Sequence, residues 1–204
     1  IEIRLLGGFS VTVRGQRVPD GELEHRNAKS MLEYLLLRRG ATAKRYQIVE
    51  QVWPEADYGM GFNRAYQATS TLRAAIAKID SDLDPFVLSR ATKAVSLDMG
   101  IIRCDVDEFR ACAREAADTG DDARAVAMAR RAERLYVGDL YVPPVDATGY
   151  VMTTRDELRR LYGDAMVAGS DAALRLGKKR TATRLAMNAL ASDDMREDAV
   201  VSMV

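Results

Sequence analysis

The sequence predicts an α+β domain at residues 1–100 and an all-α domain at 101–204. Short runs with alternating apolar side chains precede the first helical pattern and follow the third, as is typical of strands. From Asp105 onward, apolar residues instead recur at spacings of three and four, which is the period of helices. With 204 residues and 48% apolar content, the chain can bury two small cores of this kind.

Three short strands are predicted at the start of the chain. They cover Glu2–Leu6, Phe9–Arg14 and Arg17–Pro19. Gly7 with Gly8 and Gly15 with Gln16 supply the turns, so these strands are expected to form a small antiparallel sheet. His25 follows in a polar, acidic loop with no nucleophile or paired acid near it in sequence, so a solvated side chain is expected there.

Two helices are predicted next. They cover Arg26–Arg39, ending before Gly40, and Thr42 as N-cap through Trp53, ending before Pro54. Lys44 and Arg45 would lie in the first turn of the second helix, where cations oppose the helix dipole. A phosphate bound at that helix N-terminus would reverse this effect, and plain solvation of both side chains is the other interpretation.

A third helix is predicted at Asn63–Ile79, with Asn63 as its N-cap. Its apolar stripe consists of Ala65, Thr69, Leu72, Ile76 and Ile79. Its opposite side carries Arg64, Gln67, Ser70, Thr71 and Lys78, with Arg73 at the edge. Because no carboxylate occurs on that side before Asp80, it can contact a polyanion without charge repulsion. An ordinary amphipathic surface helix would have the same stripe, so both interpretations stay open on the stripe alone.

A hairpin is predicted at 86–97, because apolar and polar residues alternate on both sides of Ala91–Lys93. Residues 87–97 would form a wing beside the third helix. Arg90 and Lys93 lie at its tip, where either solvation or a phosphate contact is expected. The order of strands, three helices and a hairpin is that of a winged helix-turn-helix preceded by an antiparallel sheet.

Four complete helices and the start of a fifth are predicted in the second half. They cover Asp105–Thr119, Asp121–Tyr136, Thr154 as N-cap through Leu176, Lys178–Ala191 and the residues from Met195 onward. Alanine-rich antiparallel helix pairs of this length are typical of a tetratricopeptide-like fold, although no clean repeat of about 34 residues occurs. We expect this all-α domain to be truncated at its C-terminal end.

Composition and spacing argue against an enzyme and against a metal site. The chain contains one histidine and two cysteines, and Cys104 and Cys112 have no CxxC spacing. No glycine-rich phosphate loop follows a strand, and no cofactor is expected. The longest strongly apolar run, Tyr34–Leu37, is far too short to span a membrane, so a cytoplasmic location with free thiols is expected.

Several motifs in the first half occur in the order found in one group of bacterial regulators. These are LLGGFSV, RxAKxxLxYLLLRRG, IVEQVW and NRAYQATSTLRAAI. Together they resemble the OmpR/PhoB-type DNA-binding domain, in the version found in Streptomyces antibiotic regulatory proteins (the SARP family). The second half contains DVDEFRACAREA, AxxMARRAERLYVGDLY, LRRLYGDAMVAGSDAALRLG and DDMRED. These motifs resemble the bacterial transcriptional activator domain (BTAD), which follows the winged helix in those regulators.

The resemblance implies a sequence-specific DNA-binding transcriptional regulator, and more narrowly an activator. The third helix would enter the major groove and the wing would reach the adjacent minor groove. The implied contacts to base edges and phosphates on this helix are Arg64, Gln67, Ser70, Thr71 and Arg73, with Lys78 on phosphate. Phosphate contacts from the other elements would come from Lys44, Arg45, and Arg90 or Lys93. The implied partners are double-stranded promoter DNA, RNA polymerase holoenzyme, and further copies of the chain in a homodimer or DNA-assisted oligomer, with no membrane.

The sequence departs from the family pattern in the third helix. Thr71 and Ala74 occupy positions that are usually basic in the family. The formal net charge is zero, so the chain has no general attraction to nucleic acid. A protein-interaction or signalling module, whose winged helix has lost strong DNA binding, is therefore the alternative function. In the second half, Tyr136 replaces a usual Trp and keeps an aromatic ring there.

Overall fold

The computed structural model describes residues 1–23, 26–89, 93–142 and 149–192. The chain divides into two compact units, one formed by Ile1–Cys104 with Tyr141–Thr153 and the other by Asp105–Leu140 with Thr154–Val204. The predicted fold class is confirmed, since small sheets and helices build the first unit and helices build the second. The domain boundary at residue 100 stays a prediction.

The first unit begins with a four-stranded sheet. Its strands are β1 (Glu2–Arg4), β2 (Ser10–Val13), β3 (Gln16–Arg17) and β7 (Arg103–Cys104), in the order β3-β2-β1-β7. The three N-terminal strands are antiparallel, as predicted, although each is shorter than expected. Strand β7 pairs parallel to β1, with Ile3 beside Cys104, and its two residues are too few to produce a detectable alternation.

The first helix, α1 (Arg26–Leu37), matches its prediction to within two residues. Met31, Leu32, Leu35 and Leu36 are buried, which is the stripe that the spacing predicted. Gly40 lies in a short 3-10 turn at Arg39–Ala41 with φ 74°, a left-handed conformation that glycine adopts without steric cost. The glycine therefore ends the helical segment and redirects the chain.

The predicted N-cap at Thr42 is wrong. Residues Thr42–Lys44 form strand β4, which is joined to the wing, and helix α2 covers only Arg45–Val52. Three residues with one buried side chain, Ala43, carry too little periodicity to be distinguished from a helix start. The backbone N–H of Lys44 donates to Oε1 of Gln47 at 3.0 Å, so the glutamine side chain caps the strand-to-helix junction.

The predicted start of the third helix is also wrong. Helix α3 covers Tyr58–Ala77, and its N-cap is Asp57, whose Oδ1 accepts the N–H of Met60 at 2.8 Å. Gly61 was expected in a loop, but it lies within the helix and faces Val49 of α2. A Cβ at this position would stand 2.3 Å from a Val49 methyl group, so the glycine allows two helices to approach each other.

The wing belongs to a three-stranded sheet in the order β4-β6-β5. The predicted hairpin is confirmed as β5 (Phe86–Ser89) and β6 (Ala94–Leu97), paired antiparallel with Phe86 opposite Leu97. Strand β4 adds a third member that the sequence did not predict. Arg90, which was predicted at the tip, lies outside the described residues, as does His25.

The segment Tyr141–Thr153, which lies between the second and third helices predicted for the second half, contributes described residues to the first unit. The N–H of Tyr141 donates to the carbonyl of Leu5 at 2.7 Å. The hydroxyl of Tyr150 donates to the carbonyl of Leu37 at 2.7 Å, and its ring contacts Tyr34 edge-on. A stretch beyond the third helix thus completes the packing of the N-terminal sheet and α1.

Glu33 of α1 is a buried carboxyl group in the first unit. Its side chain has no exposed surface, and neither carboxylate oxygen has a hydrogen-bond partner among the described residues. Burial raises the pKa of Glu33 to about 8, because the charged form loses its hydration there. The folded chain therefore holds this carboxyl in its protonated form at neutral pH.

Replacing Glu33 with Gln should remove a pH dependence of stability. Between pH 4.5 and about 8 the folded state binds this proton and the unfolded state releases it. The free energy of unfolding should therefore be highest below that window and fall as the pH rises through it, by up to about 1.4 kcal/mol per unit. Urea unfolding of both proteins across this window tests it. If the difference in the free energy of unfolding between wild type and Glu33→Gln does not change with pH, the raised pKa of Glu33 is contradicted.

The second unit consists of helices. They are α4 (Asp105–Asp118), α5 (Asp122–Leu135), α7 (Lys179–Ser192) and the part of α6 (Gly149–Arg175) that begins at Thr154. Three of the four match their predictions closely, and Asp121 caps α5 by accepting the N–H groups of Ala123 and Arg124. The predicted cap at Thr154 is wrong, since α6 begins at Gly149 and Thr154 is buried inside it. The predicted helix from Met195 onward lies outside the described residues.

An aromatic and ionic cluster joins α4, α5 and α6. The rings of Tyr136 and Tyr162 stack with centroids 4.5 Å apart, and Phe109 contacts both. The Tyr136 hydroxyl donates to Asp139 at 2.8 Å, and Arg155 and Arg159 donate to the same carboxylate. Hydrogen bonds from Arg159 above all hold the pKa of Asp139 well below its usual range. The cluster therefore fixes the end of α5 against α6.

Gly169 is the packing glycine of the second unit. A Cβ there would stand 2.3 Å from the Cβ of Ala129 and 3.1 Å from a methyl of Leu185. Gly169→Ala should therefore overpack the core and lower the free energy of unfolding by about 1–3 kcal/mol. Gly149→Ala, in the same helix with nothing within 4 Å, is the matched control and should be neutral or slightly stabilising. Equal stability of the two variants by urea unfolding would contradict this account.

Candidate nucleic-acid interface

Helix α3 has one buried side and one exposed side, as its periodicity predicts. The buried residues are Gly61, Ala65, Ala68, Thr69, Leu72, Ala75 and Ile76. The exposed residues are Tyr58, Gly59, Met60, Phe62, Asn63, Tyr66, Gln67, Ser70, Ala74 and Ala77, together with the C-cap residue Lys78. Of the predicted contact residues, Gln67, Ser70 and Lys78 are therefore fully exposed, while Arg64, Thr71 and Arg73 are half-buried at the borders of this face.

Two residues that sequence reasoning missed lie at the centre of the exposed face. Tyr66 has 77% of its surface exposed, and Asn63 is exposed one turn before Gln67. Asn63 was interpreted as a cap and Tyr66 was not considered, although its position one turn before Ser70 places it on the same side of a helix. The face thus offers a phenol, two amides and a hydroxyl in adjacent positions.

Three carboxylates reach this face from other segments of the chain. Glu55 forms an ion pair with Arg64, and Glu22 forms one with Lys78. Asp84 accepts two hydrogen bonds from Arg73, at 2.8 Å to Nε and 2.9 Å to Nη2. The helix itself carries no carboxylate on this side, but the fold supplies one to each of its three predicted cations.

Arg73 is held more firmly than the other two cations. Its guanidinium lies 5.5 Å from the ring centroid of Phe86, and Asp84 also accepts the Phe86 N–H at 3.0 Å. Burial works to raise the pKa of Asp84, but the hydrogen bonds from Arg73 and from this N–H outweigh it and lower the pKa. Arg73 therefore links α3 to the start of β5, which is a structural function.

Three of the predicted phosphate-binding cations, Lys44, Arg45 and Lys93, come together at the start of α2. Lys44 pairs with Ala94 across strands β4 and β6, and the N–H of Arg45 donates to the carbonyl of Lys93 at 3.1 Å. Lys44, Arg45 and Lys93 all have exposed side chains, and the Lys44 ammonium lies 6.0 Å from the ring centroid of Tyr46. Residues about fifty positions apart in sequence thus form one cationic edge.

A groove of about 350 Å³ lies between α3, the start of α2 and strand β6. It is lined by Arg45, Phe62, Ala65, Tyr66, Thr69, Ser70, Arg73 and Val95. Apolar side chains and rings make up most of its surface, and two arginines contribute to its lining. The groove therefore connects the exposed face of α3 with the cationic edge at the wing.

Within the part of the chain that the structure describes, no three His, Cys, Asp or Glu side chains are placed to hold a metal ion. Cys104 and Cys112 are both buried free thiols, and burial above all raises the pKa of Cys112. Among the described helices, none is both long and apolar enough to cross a membrane.

Comparisons with known proteins agree with this architecture. The family described as bacterial transcriptional activator domain matches residues 104–204. Comparison with curated proteins finds no match. Among solved structures, Mycobacterium tuberculosis EmbR in complex with a low affinity phosphopeptide superposes with a TM-score of 0.78 at 18% identity. The match covers 99% of this chain and 53% of the EmbR chain, so this chain spans about half the length of that protein, and at this identity the likeness is one of fold.

Proposed function

We propose that this chain, whose residues 104–204 match the bacterial transcriptional activator domain family, is a sequence-specific DNA-binding transcriptional activator. The family match confirms the SARP-type resemblance drawn from the motifs of the second half. In the proposal, residues 1–100 are the DNA-binding domain, with α3 in the major groove and the wing of β5 and β6 at the adjacent minor groove. The helical domain, 101–204, carries regulation, oligomerisation or polymerase contact.

One observation carries the proposal. The exposed side of α3 lies next to a cationic edge made by Lys44, Arg45 and Lys93, and a groove connects the two. Base edges are read by amide, guanidinium and hydroxyl groups, whereas phosphates are bound by cations that need no sequence information. The two kinds of group occur here in adjacent places, which is the arrangement that a major-groove reader requires.

The roles of the side chains follow from their chemistry. Gln67 and Asn63 have the amide geometry that pairs with adenine, and Arg64 can pair with guanine once it leaves Glu55. Tyr66 and Ser70 lie on the same exposed face, where an apolar ring can contact a thymine methyl group. Lys44, Arg45, Lys93 and Lys78 would contact phosphate, and Thr71 lies at the border of the face. Arg73 is the weakest candidate for a base contact, since Asp84 and Phe86 already hold it.

Further partners follow from the same proposal. A regulator of this kind acts in the cytoplasm on double-stranded promoter DNA, contacts RNA polymerase holoenzyme, and binds as a homodimer or a DNA-assisted oligomer. We propose no enzymatic activity, cofactor or membrane partner. The phosphopeptide named for the EmbR structure is a ligand of that protein.

A specific observation favours the alternative function as a protein-interaction module. Each of the three cations on α3 already has a carboxylate partner, and the chain has a formal net charge of zero. A face neutralised in this way could serve as a docking surface for another protein, and the helical unit would provide a second docking surface. A DNA-binding measurement separates the two functions.

Binding to DNA should depend strongly on salt and on Arg64. The probe is a labelled duplex from the DNA upstream of this chain's own gene, and binding is measured by fluorescence anisotropy. We expect the logarithm of the binding constant to fall linearly with the logarithm of the salt concentration. The slope divided by about 0.9 gives the number of phosphate contacts. Arg64→Ala should cost about 1–3 kcal/mol on this duplex and little on a shuffled one, because base contacts discriminate sequence. Arg180→Ala, an exposed arginine of α7, is the charge-matched control. Absence of binding by any duplex near ~50 mM salt would instead favour the docking surface.

Tyr66 should contribute to sequence recognition without contributing to stability. Because its side chain is exposed, Tyr66→Ala should leave the free energy of unfolding unchanged to within about 0.5 kcal/mol. On the target duplex it should cost about 1 kcal/mol, or roughly fivefold in Kd, through loss of an apolar contact with a base. Tyr66→Phe keeps the ring and should retain most of the affinity. Unchanged binding by Tyr66→Ala would remove this residue from the interface.

A further inference from the structure

The carboxylates that neutralise α3 come from three separate segments. Glu22 lies in the 3-10 turn at Asp20–Leu23, Glu55 lies in the loop before α3, and Asp84 lies two residues before the start of β5. Each forms an ion pair with a different cation of the proposed DNA-binding helix. In sequence they stand 56, 9 and 11 positions from their partners, so only the fold brings the pairs together.

These ion pairs are accessible to an incoming anion. The Glu55 side chain is 61% exposed where it meets Arg64, and the Lys78 side chain is 60% exposed where it meets Glu22. An exposed ion pair is weak and exchanges readily with water and salt. A DNA phosphate at the same place would have to displace the carboxylate and would then lie close to its negative charge.

We propose that Glu22, Glu55 and Asp84 compete with DNA phosphates for the cations of α3 and thereby set the sequence selectivity of this face, an inference that rests on the proposed function. A non-specific complex depends almost entirely on phosphate contacts, so the competition weakens it most. In a specific complex Arg64 contacts the edge of a guanine instead of a phosphate, and a carboxylate repels an uncharged base edge less than it repels a phosphate. The carboxylates therefore lower the affinity for unrelated DNA more than the affinity for the target.

The three ion pairs should contribute unequally to this competition with DNA phosphates. Nη1 of Arg64 donates to Oε1 of Glu55, and Arg64 borders the exposed face beside Asn63 and Gln67. Arg73 instead makes two hydrogen bonds to Asp84 and contacts the ring of Phe86. Glu55 is therefore the main competitor, Glu22 is the second, and Asp84 releases its cation least.

The test compares Glu55→Gln and Asp84→Asn with wild type on two duplexes. One duplex is selected from a random library by the full chain, and the other is its shuffled counterpart. Glu55→Gln should tighten binding to the shuffled duplex about threefold to tenfold and binding to the selected duplex by less, because it frees one cation for phosphate. Its log–log salt slope should steepen by about 0.9, as expected for one further phosphate contact. Asp84→Asn should have a smaller effect.

Asp82→Asn is the matched control, since Asp82 is an exposed carboxylate of the same linker as Asp84 and makes no ion pair among the described residues. It removes the same charge without releasing a cation of α3. Thermal unfolding of each variant checks that the fold is kept. Equal tightening by Asp82→Asn and Glu55→Gln would overturn the inference, because net charge alone would then explain the effect.

The remaining outcomes separate this inference from the proposed function. If wild type binds DNA and Glu55→Gln binds both duplexes with unchanged affinity and salt slope, the competition is overturned and the DNA-binding function stands. If wild type selects no duplex but Glu55→Gln does, the competition is supported. If neither protein binds any duplex, both the proposed function and the inference fail.

Discussion

The first unit depends on the close packing of α3 against α2. Gly61 has no Cβ, so Val49 can lie against the backbone of α3, and Leu72 and Ile76 bury the rest of the same side. Interiors are close-packed, which means that α3 cannot rotate about its axis without opening a void or creating a clash. The buried side therefore fixes which residues face outward. Asn63, Tyr66, Gln67 and Ser70 are exposed because the opposite side of the helix is buried in the core.

The position of the wing follows from the same packing. Strand β4 leads directly into α2, and it is hydrogen-bonded to β6, so the start of α2 and the hairpin form one connected element. The bond from the Arg45 N–H to the Lys93 carbonyl closes this junction at 3.1 Å. Because backbone hydrogen bonds place Lys44, Arg45 and Lys93, their side chains begin from a fixed edge even though the side chains themselves are exposed. A cationic edge built in this way needs no net positive charge on the chain.

Sequence reasoning succeeded where apolar periodicity was long and failed where one residue type had two possible uses. Helices α1, α4, α5 and α7 and the wing hairpin each present a sustained pattern, and their bounds followed from it. Thr42, Asn63 and Thr154 were assigned as caps because such residues favour that position, but they lie in a strand or inside a helix. Gly61 was assigned to a loop because packing glycines and turn glycines look alike in sequence. The ion pairs of α3 depend on residues that only the tertiary fold brings close, so no local pattern could reveal them.

A neutral recognition face is compatible with DNA reading, because specificity is a difference between two affinities. Genomic DNA offers a very large excess of unrelated sites, so a regulator gains as much from weak non-specific binding as from tight specific binding. A helix with free cations would bind every duplex through its phosphates. On α3 each cation is held by a carboxylate that comes from elsewhere in the fold, while the amide, phenol and hydroxyl groups between them stay exposed. In the proposed DNA-binding function, the uncharged groups that would read sequence are thus more available than the cations that would bind any phosphate. On this argument, Thr71 and Ala74, at positions that are usually basic in the family that the first half resembles, would reduce the sequence-independent part of the proposed DNA binding and leave the readout to the residues around Tyr66.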